Sequence, residues 1–220
     1  MVASSSSSSS SSDPTVLYVG GFGRSGSTLV ERVVEAAPRI ASLGEVVHLW
    51  KRGIVWDDLC GCGLQFSACP FWTAVGAHAF GGWDAVDVDE ITALHDAFDR
   101  QRHVWRTTRP TRATRESILR YTTYYDAVYR AAAKVSGSDI VVDSSKHASL
   151  AVALSNDPNI DLRVLHLVRD SVAVAYSWSK EVRYATTDQG SRDMPRFSTR
   201  RASALWMSNN ALVPLARLAG

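Results

Sequence analysis

A glycine-rich segment close to the N-terminus carries the strongest chemical signal in the sequence. Residues 21–28 read GFGRSGST and have the spacing of a nucleotide phosphate loop. The glycines let the backbone wrap tightly around an oxyanion, and a following helix adds the positive end of its dipole. Hydroxyls of Ser25, Ser27 and Thr28 can donate to phosphate or sulfate oxygens. The segment predicts an anion site, and a tight strand-to-helix turn without a ligand is the alternative.

This loop departs from the ATPase pattern at one position. Ser27 stands where a lysine is usual, and the cation lies three residues earlier, at Arg24. ATP hydrolysis uses that lysine, with a hydroxyl-bound magnesium ion, to neutralise the γ-phosphate. The change argues against a nucleoside-triphosphatase and favours an anion with less charge to neutralise. A nucleotide-binding protein of the kinase type, with Lys146 as a displaced lysine, is the alternative.

A second candidate anion site lies in HLVRDSVAVAYSW. Arg169 is placed where a predicted strand passes into a helix, and Ser177 follows eight residues later. That separation is about two helical turns, so both side chains can lie on one side of the helix. An arginine fork with a hydroxyl can clamp a phosphate. The alternative is a buried salt bridge and an unrelated surface serine.

Candidates for proton transfer and charge stabilisation follow two other predicted strands. Glu45 lies in SLGEVVHLW as a candidate base, and His48, three residues on, is its rival. Lys146, one of four lysines among twenty arginines, ends the DSSK segment. Asp143 in the same segment is interpreted as ordering the loop rather than as a magnesium ligand.

The flanking sequence predicts strands that alternate with helices. Strands are predicted over residues 16–19, 40–43, 139–142 and 162–168. Helices are predicted from 29 until Pro38 and over 88–103, 113–135, 147–155, 171–182 and 199–218. This alternation predicts an α/β fold: three α/β/α layers, a central parallel sheet and a P-loop-type strand–loop–helix. The three strongest strands end in GRSGST, DSSK and RDS, so these motifs should meet at the carboxyl edge of the sheet.

GRSGST after the first strand, together with RDS…YSW, resembles the two cofactor motifs of the sulfotransferases that use 3′-phosphoadenylyl sulfate. The resemblance covers roughly residues 15–210, and its arginines are closer to the bacterial, Golgi and tyrosylprotein branches. It implies that the first motif holds the 5′-phosphosulfate and the second the 3′-phosphate. The residues so assigned are Arg24, Ser25, Gly26, Ser27, Thr28, Arg169 and Ser177.

The same resemblance implies catalytic roles. A glutamate in a similar Gly-Glu context is the base in the tyrosylprotein branch, which assigns that role to Glu45. Lys146 would stabilise the bridging oxygen as the nucleotide leaves. The family needs no metal for sulfuryl transfer, and it sulfonates hydroxyl or amine acceptors. Whether the acceptor is a small molecule, a carbohydrate or a peptide cannot be read from the sequence, nor can the oligomeric state.

Residues 50–83 form a predicted insertion of loops and short helices that holds all three cysteines and four tryptophans. Cys60, Cys62 and Cys69 lie in CGCG…CPFW. Three ligands without the usual two-residue spacing argue against a zinc site. A similar CPFW segment occurs in bacterial relatives of the family. A packed loop near the acceptor side is therefore favoured, and a metal site or a disulfide is the alternative.

Composition sets the remaining expectations. The chain has 220 residues, 45% of them apolar, and a net charge of +2, which fits one domain and gives no argument for nucleic acid binding. Residues 1–14 are predicted to be a disordered serine-rich tail, and 15–220 a sulfotransferase domain lacking its C-terminal end. Seven arginines between Asp99 and Arg120 predict a solvated basic face, or else a surface that attracts an anionic nucleotide.

The sequence also gives an expectation about location. No apolar run approaches the roughly 18 residues that a membrane span needs. The N-terminus lacks the basic and apolar segments of a secretory signal. A cytoplasmic protein with reduced cysteines is therefore expected.

Overall fold

The computed structural model describes residues 13–181, 183–185 and 191–219, with a four-stranded parallel sheet at the centre. The strands are β1 (Thr15–Gly21), β2 (Ile40–Ser42), β3 (Ile140–Lys146) and β4 (Asp161–Leu167). Their order is β2-β3-β1-β4, and every neighbouring pair is parallel. The predicted α/β fold with a parallel sheet is confirmed.

Helices flank this sheet, as a three-layer α/β/α arrangement requires. The α-helices are α1 (Ser27–Glu35), α2 (Pro70–Phe80), α3 (Val88–Phe98), α4 (Val104–Thr108), α5 (Arg112–Ser136), α6 (Ala148–Ser155), α7 (Ser171–Ser179) and α8 (Thr199–Leu212). Within the described residues, none of the helices combines the length and the apolar character that crossing a bilayer requires.

The core lies on the side of the sheet covered by α5 and α6. Residues 148–154 of α6 are buried all round, which matches the apolar sequence ASLAVAL. Three tyrosines spaced four apart on α5 face the same core: Tyr121, Tyr125 and Tyr129. Helix α1, which contacts β2 and β3, is mostly exposed, and Leu29 and Val33 are 68% and 66% exposed.

Several predicted element ends differ from the structure. Strand β3 continues through DSSK, because Lys146 pairs with Gly20 of β1 instead of starting a loop. The helix predicted over 88–103 breaks after Phe98, where Asp99 leaves helical geometry and its buried carboxylate accepts a hydrogen bond from the Tyr121 hydroxyl. The helix predicted to reach residue 182 ends at Ser179.

Short elements lie between α7 and α8 and at the end of the chain. An antiparallel pair, β5 (Arg183–Ala185) and β6 (Ser191–Asp193), lies between the two helices. Residues 186–190, like residues 1–12 of the predicted tail, lie outside the described residues. The last predicted helix divides into α8 and a 3₁₀ segment, Val213–Leu218, that has a proline in its first turn.

The predicted insertion is a set of short helices around an aromatic cluster. It contains a π-helical segment, Leu49–Val55, two 3₁₀ turns and helix α2. Trp50 and Trp72 are buried and pack against neighbouring aromatic rings, whereas Trp56 is 41% exposed. Trp50 and Trp72 therefore serve the core.

The arginine-rich stretch runs from the turn after α3 through α4 into α5, and all seven of its arginines are exposed. Arg100 pairs with Asp96, Arg112 with Glu116, and Arg120 with Glu90. These pairs are largely solvent-exposed, so each contributes little to stability. The geometry supports the interpretation as a solvated basic face.

Candidate functional site

Sheet order brings the predicted motifs to one edge. The glycine loop, residues 21–28, begins at the carboxyl end of β1. Gly20 there pairs with Lys146 on one side and Gly21 with Leu167 on the other. Arg169 follows β4 by two residues, and Glu45 follows β2 by three. All four motifs therefore lie at the carboxyl edge of one parallel sheet, where such folds bind ligands.

The glycine loop presents the start of α1 to solvent. Gly26 is the residue before the helix, and its φ of 97° lies in the left-handed region that glycine tolerates best. The amides of Leu29 and Val30 bond to its carbonyl oxygen. Helix geometry leaves the amides before them without intrahelical partners, and the first turn contains neither an acidic residue nor a side-chain cap. This helix end suits an anion.

Two polar atoms of the loop are buried without a partner among the described residues. They are the Ser25 hydroxyl oxygen and Arg24 Nε. Ser25 is 8% exposed. A buried polar atom left unsatisfied costs about 1–3 kcal/mol, so a ligand oxygen at this position would relieve a cost that the free protein bears. Ser27 is also buried, and Thr28 is exposed.

The second motif docks on the first. Arg169 donates a hydrogen bond to the Arg24 carbonyl oxygen at 3.1 Å. Trp178 donates from its indole nitrogen to the Gly23 carbonyl oxygen at 3.0 Å, and the Arg24 guanidinium lies 5.4 Å from the indole ring centre. A Cβ atom at position 23 would lie 2.7 Å from the Trp178 ring, so glycine is needed for this approach. Ser177 precedes the tryptophan on α7.

The sequence assignment did not include Trp178, although the tryptophan stands in the YSW part of the motif. Its ring also stacks on Phe197, with ring centres 4.6 Å apart. An aromatic residue directly after the candidate phosphate-binding serine was the available signal. The structure makes it the main packing contact between the loop and α7.

Glu45 lies between two basic groups. The Lys146 ammonium donates to one carboxylate oxygen and also to the Ser144 carbonyl oxygen, and His48 Nε2 lies 3.1 Å from the other carboxylate oxygen. Burial alone would raise the pKa of Glu45, but the hydrogen bond with His48 and the charge of Lys146 outweigh it and lower the pKa to about 2. The 3₁₀ turn Val46–His48 places Glu45 and His48 on one side.

Asp143 fixes the segment that carries Glu45. Its buried carboxylate accepts hydrogen bonds from the Tyr129 hydroxyl at 2.6 Å and the Ser145 amide at 2.8 Å. The Ser145 hydroxyl in turn accepts from the Val47 amide at 2.9 Å. Burial raises the pKa of Asp143 to about 6, against the hydrogen bonds from Ser145 and Tyr129 that lower it. Asp143 therefore orders the loop, as interpreted from the sequence.

Two cavities differ in their relation to these residues. A cavity of about 310 Å³ is lined by Glu45, His48, Leu49, Cys60 and Trp72, among others. A larger one of about 610 Å³ lies against β4 and the 3₁₀ segment after α8, and its wall includes Asp157, Asp161, His166 and Arg217. The smaller cavity is the candidate acceptor site because it contains the candidate base.

The three cysteines gather beside this cavity as free thiols. Their sulfur atoms all lie within 4.8 Å of one another, and those of Cys62 and Cys69 are 3.6 Å apart. The backbone amide of Leu64 lowers the pKa of the exposed Cys62 thiol. Burial raises the pKa of the Cys60 thiol to about 11.

Comparisons with family models, with curated proteins and with solved structures find no match to this chain. The function must therefore be argued from the residues and their geometry.

Proposed function

We propose that the protein transfers a sulfuryl group from 3′-phosphoadenylyl sulfate to a hydroxyl or amine acceptor. One observation carries the proposal: the two motifs that resemble sulfotransferase cofactor sites lie side by side, with Arg169 bonded to the carbonyl oxygen of Arg24. Two separate anion-binding motifs at one sheet edge suit a ligand with two anionic ends. A nucleotide that carries a 5′-phosphosulfate and a 3′-phosphate has that character.

The glycine loop would hold the phosphosulfate. The hydroxyl of Ser25, which has no partner among the described residues, and the open helix start after Gly26 offer donors that oxygens of this group can use. Arg24, Ser27 and Thr28 complete the set by resemblance. An arginine has five donor hydrogens, so Arg169 can keep its bond to the loop carbonyl and still bind the 3′-phosphate, with Ser177 beside it.

The transfer end would work through Glu45 and Lys146. Glu45 accepts the proton of the acceptor hydroxyl or amine while the acceptor atom bonds to sulfur. The bond from sulfur to the bridging oxygen breaks, and Lys146 stabilises the charge left on the nucleotide phosphate. Withdrawal of the Lys146 ammonium toward that oxygen removes one cause of the low Glu45 pKa, so the carboxylate becomes a better base as transfer proceeds.

A kinase-like nucleotide-binding protein is the second candidate. It is favoured by the position of Lys146, whose backbone pairs with Gly20 at the start of the loop. Against it, Lys146 is already bonded to Glu45. Asp143, the residue placed to bind magnesium, is buried and bonded to Tyr129 and Ser145. These contacts favour sulfuryl transfer.

The proposal extends to the acceptor and the setting. A small molecule, or a carbohydrate or peptide end group, would enter the cavity beside Glu45. The cytoplasm is the proposed location, and nucleic acid is not a proposed partner.

Ligand-dependent thermal stability tests this choice. Adenosine 3′,5′-bisphosphate at about 100 times its Kd should stabilise the protein by about 2.7 kcal/mol, visible as a rise in Tm, and ATP with magnesium should stabilise it less. Acceptors can then be screened with sulfur-labelled 3′-phosphoadenylyl sulfate. Stronger stabilisation by ATP with magnesium would favour the kinase-like alternative and overturn the proposal.

A further inference from the structure

The cysteine cluster, Cys60, Cys62 and Cys69, has no role in the proposed transfer. Cys60 and Cys62 lie in one tight turn, closed by hydrogen bonds from the Cys60 amide to the Leu64 carbonyl oxygen and from the Gly63 amide to the Cys60 carbonyl oxygen. Cys69 comes from a different element and is the residue that precedes α2. Two separate segments therefore bring three thiols together.

We propose that these three thiols bind one thiophilic metal ion, Zn²⁺ in the first instance. In the described part of the chain, this is the one group of three or more histidine, cysteine or acidic side chains close enough to share an ion. Thiolate is a preferred ligand of zinc and of other soft ions. The proposal does not depend on the sulfuryl-transfer function.

The distances fit such a site. Two thiolates bound tetrahedrally to one zinc ion, with bonds of about 2.3 Å, lie about 3.8 Å apart. Cys62 and Cys69 have their sulfurs 3.6 Å apart, and no sulfur pair exceeds 4.8 Å. A side-chain adjustment of about 1 Å would therefore bring the cluster to the geometry that zinc needs.

The backbone supplies a second feature, because it fixes both segments that carry the thiols. The Cys60 amide donates to the Leu64 carbonyl oxygen at 2.7 Å, and the Cys69 amide donates to the Phe66 carbonyl oxygen at 3.2 Å. Backbone hydrogen bonds of this kind hold the ligands near each other before an ion binds, which is the outer-shell support that metal sites use. A bound metal deprotonates its thiols outright, so the burial of Cys60 does not prevent binding.

The position of the cluster indicates what the ion would do. It would join the turn at residues 60–64 to the start of α2, and Cys60 lines the cavity that contains Glu45. Three protein ligands leave a fourth position for water or another small ligand. The ion would thus fix one wall of the candidate acceptor cavity.

Metal binding by the reduced full chain tests the inference. Protein freed of metal under reducing conditions is titrated with Co²⁺, and binding is followed through the absorption bands of tetrahedral thiolate-bound cobalt. Zn²⁺ should displace the cobalt, and mass spectrometry under native conditions should find one zinc ion per chain. Replacement of any one cysteine by serine should weaken binding by at least about 100-fold.

A matched control keeps all three thiols but disturbs the same region. Ser67→Ala removes the hydrogen bond from the Ser67 hydroxyl to Asp57, 2.8 Å long, and should still bind one zinc ion. Failure of the wild-type protein to bind stoichiometric zinc or cobalt would overturn the proposal. So would unchanged affinity in the three serine variants. Loss of two hydrogens, with a Cys62–Cys69 disulfide and no metal uptake after reduction, would assign the cluster to thiol redox chemistry instead.

Discussion

The glycine loop and the Glu45–Lys146 pair lie at the same sheet edge, but they differ in whether their polar side chains have partners. In the loop, the Ser25 hydroxyl and Arg24 Nε are buried without partners in the described part of the chain. In the pair, by contrast, Glu45 is bonded to both Lys146 and His48. The glycine loop therefore has donors that an anion can bind, whereas the charges of Glu45 and Lys146 neutralise each other.

This difference links the glycine loop to ligand binding and the Glu45–Lys146 ion pair to the transfer step. The loop is held in place by packing, chiefly by Trp178 against Gly23, so it can accept a ligand with little rearrangement. The ion pair must open before Glu45 can act as a base. We therefore expect variants of the loop to change ligand affinity and variants of the ion pair to change the rate of transfer.

Both ends also contain a strained residue. Arg24 and Lys146 have φ values of 70° and 68°, in the left-handed region that non-glycine residues rarely adopt. Each costs about 1–2 kcal/mol. Strain of this kind collects at functional sites. Two of the four non-glycine residues with positive φ in the described chain, the others being Arg39 and Asp57, are residues that the sequence had singled out for their charge.

Glu45→Gln should separate the rate of transfer from nucleotide affinity more strongly than any other variant. Removal of a general base typically slows a reaction by about 10²–10⁴-fold, so transfer should fall by about 10³-fold while adenosine 3′,5′-bisphosphate affinity stays the same. Labelled transfer and calorimetry measure the two quantities. His48→Gln is the control for the rival base, and a larger loss in that variant than in Glu45→Gln would reverse the assignment.

Lys146→Met should slow transfer by about 10²-fold, since it removes the charge that we propose stabilises the leaving phosphate. It should also raise the pKa of Glu45, because the lysine charge is one of the causes that lower it. The acidic limb of the pH–rate profile should therefore move to higher pH. Lys134→Met, at an exposed position on α5, is the matched control. An unshifted acidic limb would show that the ion pair does not set the basicity of Glu45.

Asp143→Asn tests whether the buried carboxyl beneath Glu45 makes the stability of the protein depend on pH. The folded state raises the pKa of Asp143 from 3.8 to about 6, so it favours the protonated carboxyl. The stability from this residue is full below pH 4 and is lost as pH rises through about 6, by roughly 3 kcal/mol. The asparagine variant should lack that loss in denaturant unfolding between pH 4 and 7. An identical pH dependence in the two proteins would contradict this account.

Ser25→Ala should have the smallest effect, and it should lower ligand affinity without lowering the stability of the free protein. Ligand affinity should fall by about 5-fold, equivalent to one hydrogen bond of about 1 kcal/mol, while the free protein becomes no less stable. Ser145→Ala is the matched buried serine, because its hydroxyl is bonded to Asp143 and Val47, and it should lose stability. Equal destabilisation by both changes would mean that Ser25 has a partner in the free protein.

Much of this arrangement followed from local sequence signals. The strand, glycine loop and helix at residues 15–35 were predictable, because the apolar run, the spacing of the glycines and the helical periodicity all indicate the same order of elements. Placement of Glu45 beside Lys146 was not, since it depends on β3 pairing between β1 and β2. The break after Phe98 was also missed, because a buried bond between Asp99 and Tyr121 outweighs helix propensity.

The most direct test of the central claim is calorimetric binding of adenosine 3′,5′-bisphosphate and of adenosine 5′-phosphate to the wild type and to Arg169→Ala. A charged hydrogen bond is worth about 1.5–3 kcal/mol. The account therefore predicts that the wild type prefers the bisphosphate by at least about 10-fold and that Arg169→Ala removes the preference. Equal affinity of the wild-type protein for the two nucleotides would contradict it.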